Sequence, residues 1–251
     1  MVFNRLIPSL LLQAGRLRKG VRYRDHRDAG NPVTTARAHN AQGADELILL
    51  DIEASRGNRA PDFKTVSEVA KECSMPLTVG GGVSNREIAK QCMDNGADKL
   101  LVTTGAYDDP GLIGSLADIY GNQAIVLGAD VVDTRDGWRL YDHRRNAPLQ
   151  TLDPLDWIRE NVQRGAGEIR LMAVSREGTR TGMHTELFRS VASAVSVPIV
   201  FEGGAGSLAD LDEAMKHGCT AVAVGSLLVF SDNNLFKVKR YLANAGHRMR
   251  V

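Results

Sequence analysis

Two glycine-rich segments have residue types suited to a phosphate site. They recur at an offset of 122 residues, which aligns Pro76 with Pro198. The set comprises Gly81, Gly82, Thr103 and Thr104 in the first half and Gly203, Gly204, Gly225 and Ser226 in the second. Glycine lets the backbone approach an anion, and a following helix start offers free N–H groups. We expect two phosphate sites, for a ligand with phosphates at both ends or a fragment with one; tight turns are the alternative.

Asp130 is the residue best suited to proton transfer. It ends an apolar run, where a carboxylate beside a phosphate site can act as general acid or base. The alternative is a structural cap for the next backbone groups. The segment 126–130 parallels 7–11, so Leu11 stands where the first half would carry a second acid. Asp51 ends another apolar run and is predicted either to bind substrate or to order its loop.

The segment 15–24 contains five cationic residues and follows the first apolar run. A basic loop above a phosphate site can act as a closing lid. A solvated surface loop is the alternative. The segment 175–182 is a candidate second lid.

These residues are positioned by eight short apolar runs that alternate with eight amphipathic stretches. The runs do not alternate strictly between apolar and polar residues, which is typical of parallel strands buried on both faces. The predicted strands are 6–12, 46–51, 77–80, 99–103, 124–130, 168–173, 199–201 and 221–225. With the internal repeat, this pattern predicts one α/β domain over 1–251, a (β/α)8 TIM barrel built from two half-barrels. An open doubly wound sheet is the alternative.

Four charged residues fall at predicted strand starts: Arg5, Glu46, Lys99 and Glu168. In a barrel they would form a ring at the end opposite the phosphate sites. Buried charges are costly unless paired. From spacing alone, we expect these four side chains to close the bottom of the barrel. The alternative is that they form a gate through which a small polar molecule passes.

Composition excludes several classes of protein. Lys and Arg number 31 against 30 Asp and Glu, which argues against a general nucleic-acid binder. The three cysteines are scattered without metal-ligand spacing, so no metal or cofactor is predicted and a reducing cytoplasm is expected. No apolar run is long enough to span a membrane.

Several motifs together resemble the HisF family, the cyclase subunit of imidazole glycerol phosphate synthase. They are Ile7-Pro8 with Lys19-Gly20-Val21, 43–47, 50–55, 76–82, 96–99, Gly178-Thr179 and 203–206. The resemblance implies that ammonia from a glutaminase subunit enters the barrel bottom through Arg5, Glu46, Lys99 and Glu168. It also implies that Asp98 lies at the glutaminase contact, and that Lys19 and Gly178 belong to the mobile loops around the phosphorylated substrate.

The chain departs from that family at the predicted mouth. Leu11 replaces the second catalytic acid, and Ser175 and Glu177 stand in the loop where the family has aspartates. Glu202 replaces a serine beside the second glycine pair. The leucine run after Ile7-Pro8 resembles a divergent branch associated with sugar amidation.

The leading hypothesis is therefore an ammonia-channelling barrel that acts with a HisH-like glutaminase and a sugar amidotransferase. Its role would be acetamidino modification of surface-polysaccharide sugars. One alternative is a working cyclase-lyase with its second acid supplied by Glu202 or Glu177. The other is a barrel that binds a phosphorylated ligand and regulates a partner without catalysis.

Overall fold

The computed structural model describes residues 3–251, apart from the side chains at 24 and 25. The strands are β1 (Arg5–Gln13), β2 (Arg16–Val21), β3 (Arg24–Gly30), β4 (Leu47–Asp51), β5 (Leu77–Gly80), β6 (Lys99–Val102), β7 (Ile125–Thr134), β8 (Gly137–Asp142), β9 (Ala147–Pro148), β10 (Glu168–Ala173), β11 (Ile199–Glu202) and β12 (Ala221–Val224). The helices are α1 (Pro32–Ala41), α2 (Phe63–Ala70), α3 (Arg86–Asp94), α4 (Thr104–Asp108), α5 (Leu112–Tyr120), α6 (Pro154–Gln163), α7 (Thr185–Ala194), α8 (Leu208–Lys216), α9 (Ser226–Val229) and α10 (Leu235–Asn244).

Eight parallel strands close into a ring. Their order is β1, β4, β5, β6, β7, β10, β11 and β12, with β12 paired back to β1 and β7 paired to β10. Helices separate the strands along the chain. The predicted (β/α)8 barrel is confirmed, and the open sheet is wrong. We call the carboxyl ends of the barrel strands the mouth and their amino ends the bottom.

The strand sequences are apolar on both faces because each strand has two buried sides. One apolar cluster fills the barrel interior and includes Ile7, Leu11, Ile48, Leu101 and Val126. A larger cluster lies between the strands and the surrounding helices. A strand needs apolar residues at odd and even positions when both faces are covered, which explains the continuous runs.

Two hairpins were not predicted from the sequence. The basic segment after β1 folds into β2 and β3 instead of an irregular loop. Its tip places Arg22 and Tyr23 at positive φ, 49° and 60°, where Gly or Asn is the usual turn signal. The β7 strand also runs past Asp130 to Thr134 and pairs with β8, so Asp130 lies within the strand and not at its end.

Within the described residues, no helix is both long and apolar enough to cross a bilayer.

Candidate functional site at the two ends of the barrel

The four charged residues predicted at the strand starts meet at the bottom of the barrel. Arg5 donates to Glu46 at 2.5 Å and to Glu168 at 2.6 Å. Lys99 donates to the same two carboxylates at 2.9 and 2.8 Å. Each cation therefore bridges both anions, and the four charges balance. Their side chains keep between 7% and 21% of their surface exposed, so the ring lies just inside the bottom opening.

The charge ring is stabilised in its ionised form. Burial acts to raise the pKa of Glu46, but Arg5 and Lys99 outweigh it and hold that pKa below its usual value. Burial likewise opposes the charge on Lys99, yet the two glutamates raise its pKa. The ring thus remains a network of full charges at neutral pH.

Asp98 lies beside this ring and is exposed. Its Oδ2 accepts a hydrogen bond from the backbone N–H of Leu77 at 2.8 Å. Asp45 accepts the equivalent bond from the backbone N–H of Leu6 at 2.8 Å, near the start of β1. Asp98 therefore anchors the start of β5 and also presents a negative charge at the bottom surface.

The first glycine pair lies at the mouth, after β5. Gly81 and Gly82 have φ of 89° and 79°, and a Cβ at Gly81 would lie 2.1 Å from the backbone oxygen of Asp51. Ser55 Oγ accepts from the N–H of Gly82 and from Thr104 Oγ1, both at 3.0 Å. The short helix α4 begins at Thr104, next to Thr103. Close backbone packing requires these glycines whether or not an anion binds.

The second glycine pair lies after β11, across the ring of strands. Gly203 and Gly204 have φ of 108° and 98°. Gly225 and Ser226 mark the start of α9, and Ser226 Oγ is buried without a hydrogen-bond partner among the described side chains. A separate cavity runs along this pair and is also lined by Lys19, Glu177 and Glu202. The second site thus has two carboxylates and one lysine beside its glycines.

A buried ion pair closes the second site. Lys19 Nζ lies 2.5 Å from Glu177 Oε1, with 7% and 2% of the side chains exposed. Glu177 Oε2 also accepts from the N–H of Tyr23 at 3.1 Å. A Cβ at Gly178 would lie 2.4 Å from the backbone oxygen of Gly20, so Gly178 is required where the hairpin touches this loop. Lys19 gives one of the three donors of its ammonium group to Glu177 and also lines the cavity of the second glycine pair.

Asp130 lies in a buried network that the sequence analysis missed. Its Oδ1 accepts from Arg170 Nη1 at 3.1 Å, and its Oδ2 lies 2.8 Å from His143 Nε2. Arg170 Nε donates to Glu202 at 2.7 Å. Arg170 is only 2% exposed. The negative charge of Glu202, which follows the sequence prediction in lying beside the second glycine pair, is paired with Arg170.

This network weakens Asp130 as a base. Burial acts to raise its pKa, but His143 and Arg170 outweigh that effect and hold the pKa below its usual value. Leu11 lines the same cavity as Asp130 and is 4% exposed. In this cavity the carboxylate of Asp130 is bound to two partners, and position 11 contributes an apolar side chain.

Asp51 also lines this cavity, but its carboxylate orders the adjoining loop. Arg59 donates to both of its oxygens, at 2.7 and 3.0 Å. The backbone N–H groups of Glu53, Ala54 and Asp62 donate to it as well. With five donors bound, Asp51 has little capacity left for a substrate.

Comparisons with known proteins agree with this geometry. A family model described as "Histidine biosynthesis protein" matches residues 5–234. The "Imidazole glycerol phosphate synthase subunit HisF" of Hyphomonas neptunium is 39% identical over 252 residues, covering all of both chains. The full-length match and the barrel together place this chain in the histidine biosynthesis protein family, as a HisF-like member.

Proposed function

We propose that this barrel receives ammonia from a HisH-like glutaminase at its bottom and that its mouth has lost ordinary cyclase activity. The observation that carries the proposal is the contrast between the two ends. The bottom has the paired ring of Arg5, Glu46, Lys99 and Glu168. At the mouth, Leu11 faces the cavity where a second acid would act, and Asp130 is bound to Arg170.

The interior between the two ends suits ammonia and not ammonium. Ile7, Ile48 and Val126 belong to its apolar lining. Transferring an ion into apolar surroundings is far more costly than transferring a small neutral molecule. Ammonia that passes the charge ring would therefore cross in its neutral form.

Neither Glu177 nor Glu202, the two acids considered as replacements for the missing one, is free to act. Glu177 is bound to Lys19 at 2.5 Å, and Glu202 is bound to Arg170 at 2.7 Å. Each would have to leave a buried ion pair before it could transfer a proton. General acid–base catalysis contributes typically 10²–10⁴ in rate, so we expect cyclase turnover to be reduced by about that factor.

The second candidate function is a working cyclase. It is favoured by the full-length similarity to the HisF subunit of Hyphomonas neptunium, which is 39% identical. It requires that Glu177 leave Lys19, or that Glu202 leave Arg170, and bind the substrate instead. A phosphorylated ligand at the glycine pairs fits both candidates, and a purely regulatory barrel would bind such a ligand without turnover.

The finer part of our proposal concerns the destination of the ammonia. The leucine run after Ile7-Pro8 supports the sugar-amidation branch, in which a separate sugar amidotransferase would consume ammonia for acetamidino modification. A genomic position among polysaccharide genes would support this assignment. A position among histidine genes would favour the cyclase.

The deciding experiment measures cyclase turnover with the bisphosphate ribulosyl imidazole precursor and excess ammonium salt, which bypasses the glutaminase. We expect little wild-type turnover, a gain in Leu11→Asp, and no gain in the uncharged control Leu11→Asn. Robust wild-type turnover would establish the working cyclase instead.

Docking of the glutaminase is tested separately at Asp98. Asp98→Asn keeps an oxygen that can accept from Leu77 but removes the charge. We expect weaker binding of a HisH-like glutaminase in a calorimetric titration. The control Glu87→Gln changes an exposed acid in the first turn of α3, toward the mouth, and should bind normally. Equal affinities for wild type and Asp98→Asn would remove Asp98 from the interface.

A further inference from the structure

The hairpin of β2 and β3 forms one wall of a surface groove with a volume of about 280 Å³. We call it the rim groove. Val21 and Arg27 line it from the hairpin, Arg180 from the loop between β10 and α7, and Phe230 from the residue that follows α9. Three parts of the chain that are far apart in sequence therefore build one concave surface on the outer side of the hairpin.

The rim groove exposes large apolar side chains. Val21 and Phe230 keep 47% and 42% of their surface exposed, and Val229, next to Phe230, keeps 39%. Single exposed apolar residues are normal on a protein surface and need no explanation. Here a valine and a phenylalanine from separate elements meet in one groove with a polar rim, which is typical of a surface that another molecule covers.

The charge of the rim groove is positive. Arg27 and Arg180 are exposed, and neither pairs with a carboxylate among the side chains that the structure describes. Arg180 donates only to the backbone oxygen of Gly206, at 3.4 Å. Lys19 is a third cation in the groove, but the buried Glu177 balances its charge. The described lining includes no Asp or Glu, so two uncompensated arginines favour an acidic partner.

The rim groove adjoins the mouth of the barrel. Lys19 and Gly178 line both the groove and the cavity of the second glycine pair. A molecule seated in the groove would therefore lie at the edge of the opening through which ammonia leaves in the proposed function. Ammonia that leaves an uncovered opening is diluted into solvent, so the protein that consumes it has to be held there. This position identifies the occupant as that protein.

We propose that the rim groove docks an acidic segment of the protein that consumes the ammonia. An apolar side chain of that segment packs between Val21 and Phe230, and its carboxylates face Arg27 and Arg180. This inference rests on the proposed function, because it takes ammonia to leave the mouth for a separate protein. The glutaminase is expected at the bottom, so the barrel can bind both partners at once, one at each end.

The test measures binding of a purified sugar amidotransferase from the same organism to the full-length barrel by biolayer interferometry, at low and high salt. We expect Phe230→Ser to raise the Kd by about tenfold or more, as for a central apolar contact. The double variant Arg27→Glu, Arg180→Glu should raise the Kd by a similar factor at low salt and remove most of its salt dependence. The matched controls are Ile119→Ser on α5 and Arg189→Glu on α7, which change exposed residues outside the groove and should leave the Kd unchanged.

Several outcomes would overturn the proposal. They are no binding of the amidotransferase to the wild type, or a Kd that the groove variants change no more than the controls do. A dimer of the wild-type chain in light scattering that Phe230→Ser dissociates would assign the groove to a second copy instead. The melting temperature shows that each variant is folded. Binding of a HisH-like glutaminase and cyclase turnover, measured on the same proteins, test the proposed function separately: if the glutaminase binds and the amidotransferase does not, the docking surface is wrong and the supply of ammonia at the bottom stands.

Discussion

Replacing Arg170 with methionine should destabilise the barrel strongly and in a pH-dependent way. The guanidinium is 2% exposed and is bound to Asp130 and Glu202, which are 4% exposed each. Removing it leaves two buried carboxylates without their cation. Breaking a buried ion pair by removing one partner costs about 3–5 kcal/mol. We expect a loss of unfolding free energy in that range at pH 7.

The sign of the pH dependence follows from the carboxylates. In the wild type the pKa of Asp130 lies below its unfolded value, so its contribution to stability is present above about pH 4 and is lost as the pH falls. In Arg170→Met the guanidinium no longer opposes the effect of burial, so the pKa of Asp130 should rise. The variant would then regain stability as the pH falls toward about 5, because the carboxyls become neutral.

Urea denaturation followed by circular dichroism at pH 7 and pH 5 measures this effect. The matched control is Arg164→Met, an exposed arginine just after α6 that pairs with Glu160 and should change stability by about 0.5 kcal/mol or less. Adding Asp130→Asn and Glu202→Gln to Arg170→Met should recover most of the loss. A loss below about 1 kcal/mol, or one that is equal at both pH values, would refute the argument that Arg170 neutralises buried acids.

Three further predictions concern other parts of the barrel. Lys99→Met removes one of the two cations that bridge the glutamates of the charge ring. It should increase the amount of ammonia that escapes to solvent during glutamine hydrolysis, measured with glutamate dehydrogenase. The control Lys90→Met, on the surface of α3, should leave that amount unchanged. Glu177→Gln breaks the buried ion pair with Lys19 and should accelerate amide hydrogen exchange in β2 and β3 by roughly tenfold or more. That factor is equivalent to a loss of ~1.4 kcal/mol in the free energy of opening the hairpin. Unchanged exchange would mean that other contacts hold the hairpin. Burial lowers the pKa of His39 from 6.5 to about 4. Its contribution to stability is therefore complete above pH 6.5 and is lost as the pH falls toward 4. In His39→Gln the free energy of unfolding, measured by urea titration, should vary less with pH over that range.

The barrel strands could be predicted from the sequence because burial on both faces leaves a strong signal. The bounds of β5 and β10 agree residue for residue with the prediction. The β8 hairpin also carried a signal that was overlooked, since Asp136-Gly137 precedes alternating residues in Trp138–Tyr141. The turn at Arg22 and Tyr23 carried none, because neither residue favours positive φ.

The site was only partly predictable. Arg170 interrupts an apolar strand two residues after Glu168, and a period of two places both side chains on the same face. That spacing could have identified Arg170 as an interior charge. The orientation of Glu202 could not be read in the same way, because its partner lies on the neighbouring strand and only the paired register of β10 and β11 brings them together.

The position of Arg170 links the two ends of the barrel. Glu168 belongs to the charge ring and Arg170 to the mouth network, yet they are successive interior positions of one strand. Two residues of a parallel strand span only about 6.6 Å. A molecule that leaves the ring along the barrel axis therefore meets the cation of Arg170 within one layer of side chains. Arg170 can donate a hydrogen bond to the lone pair of ammonia, whereas ammonium has no lone pair to accept one. We therefore expect Arg170 to favour delivery of the neutral molecule to the mouth.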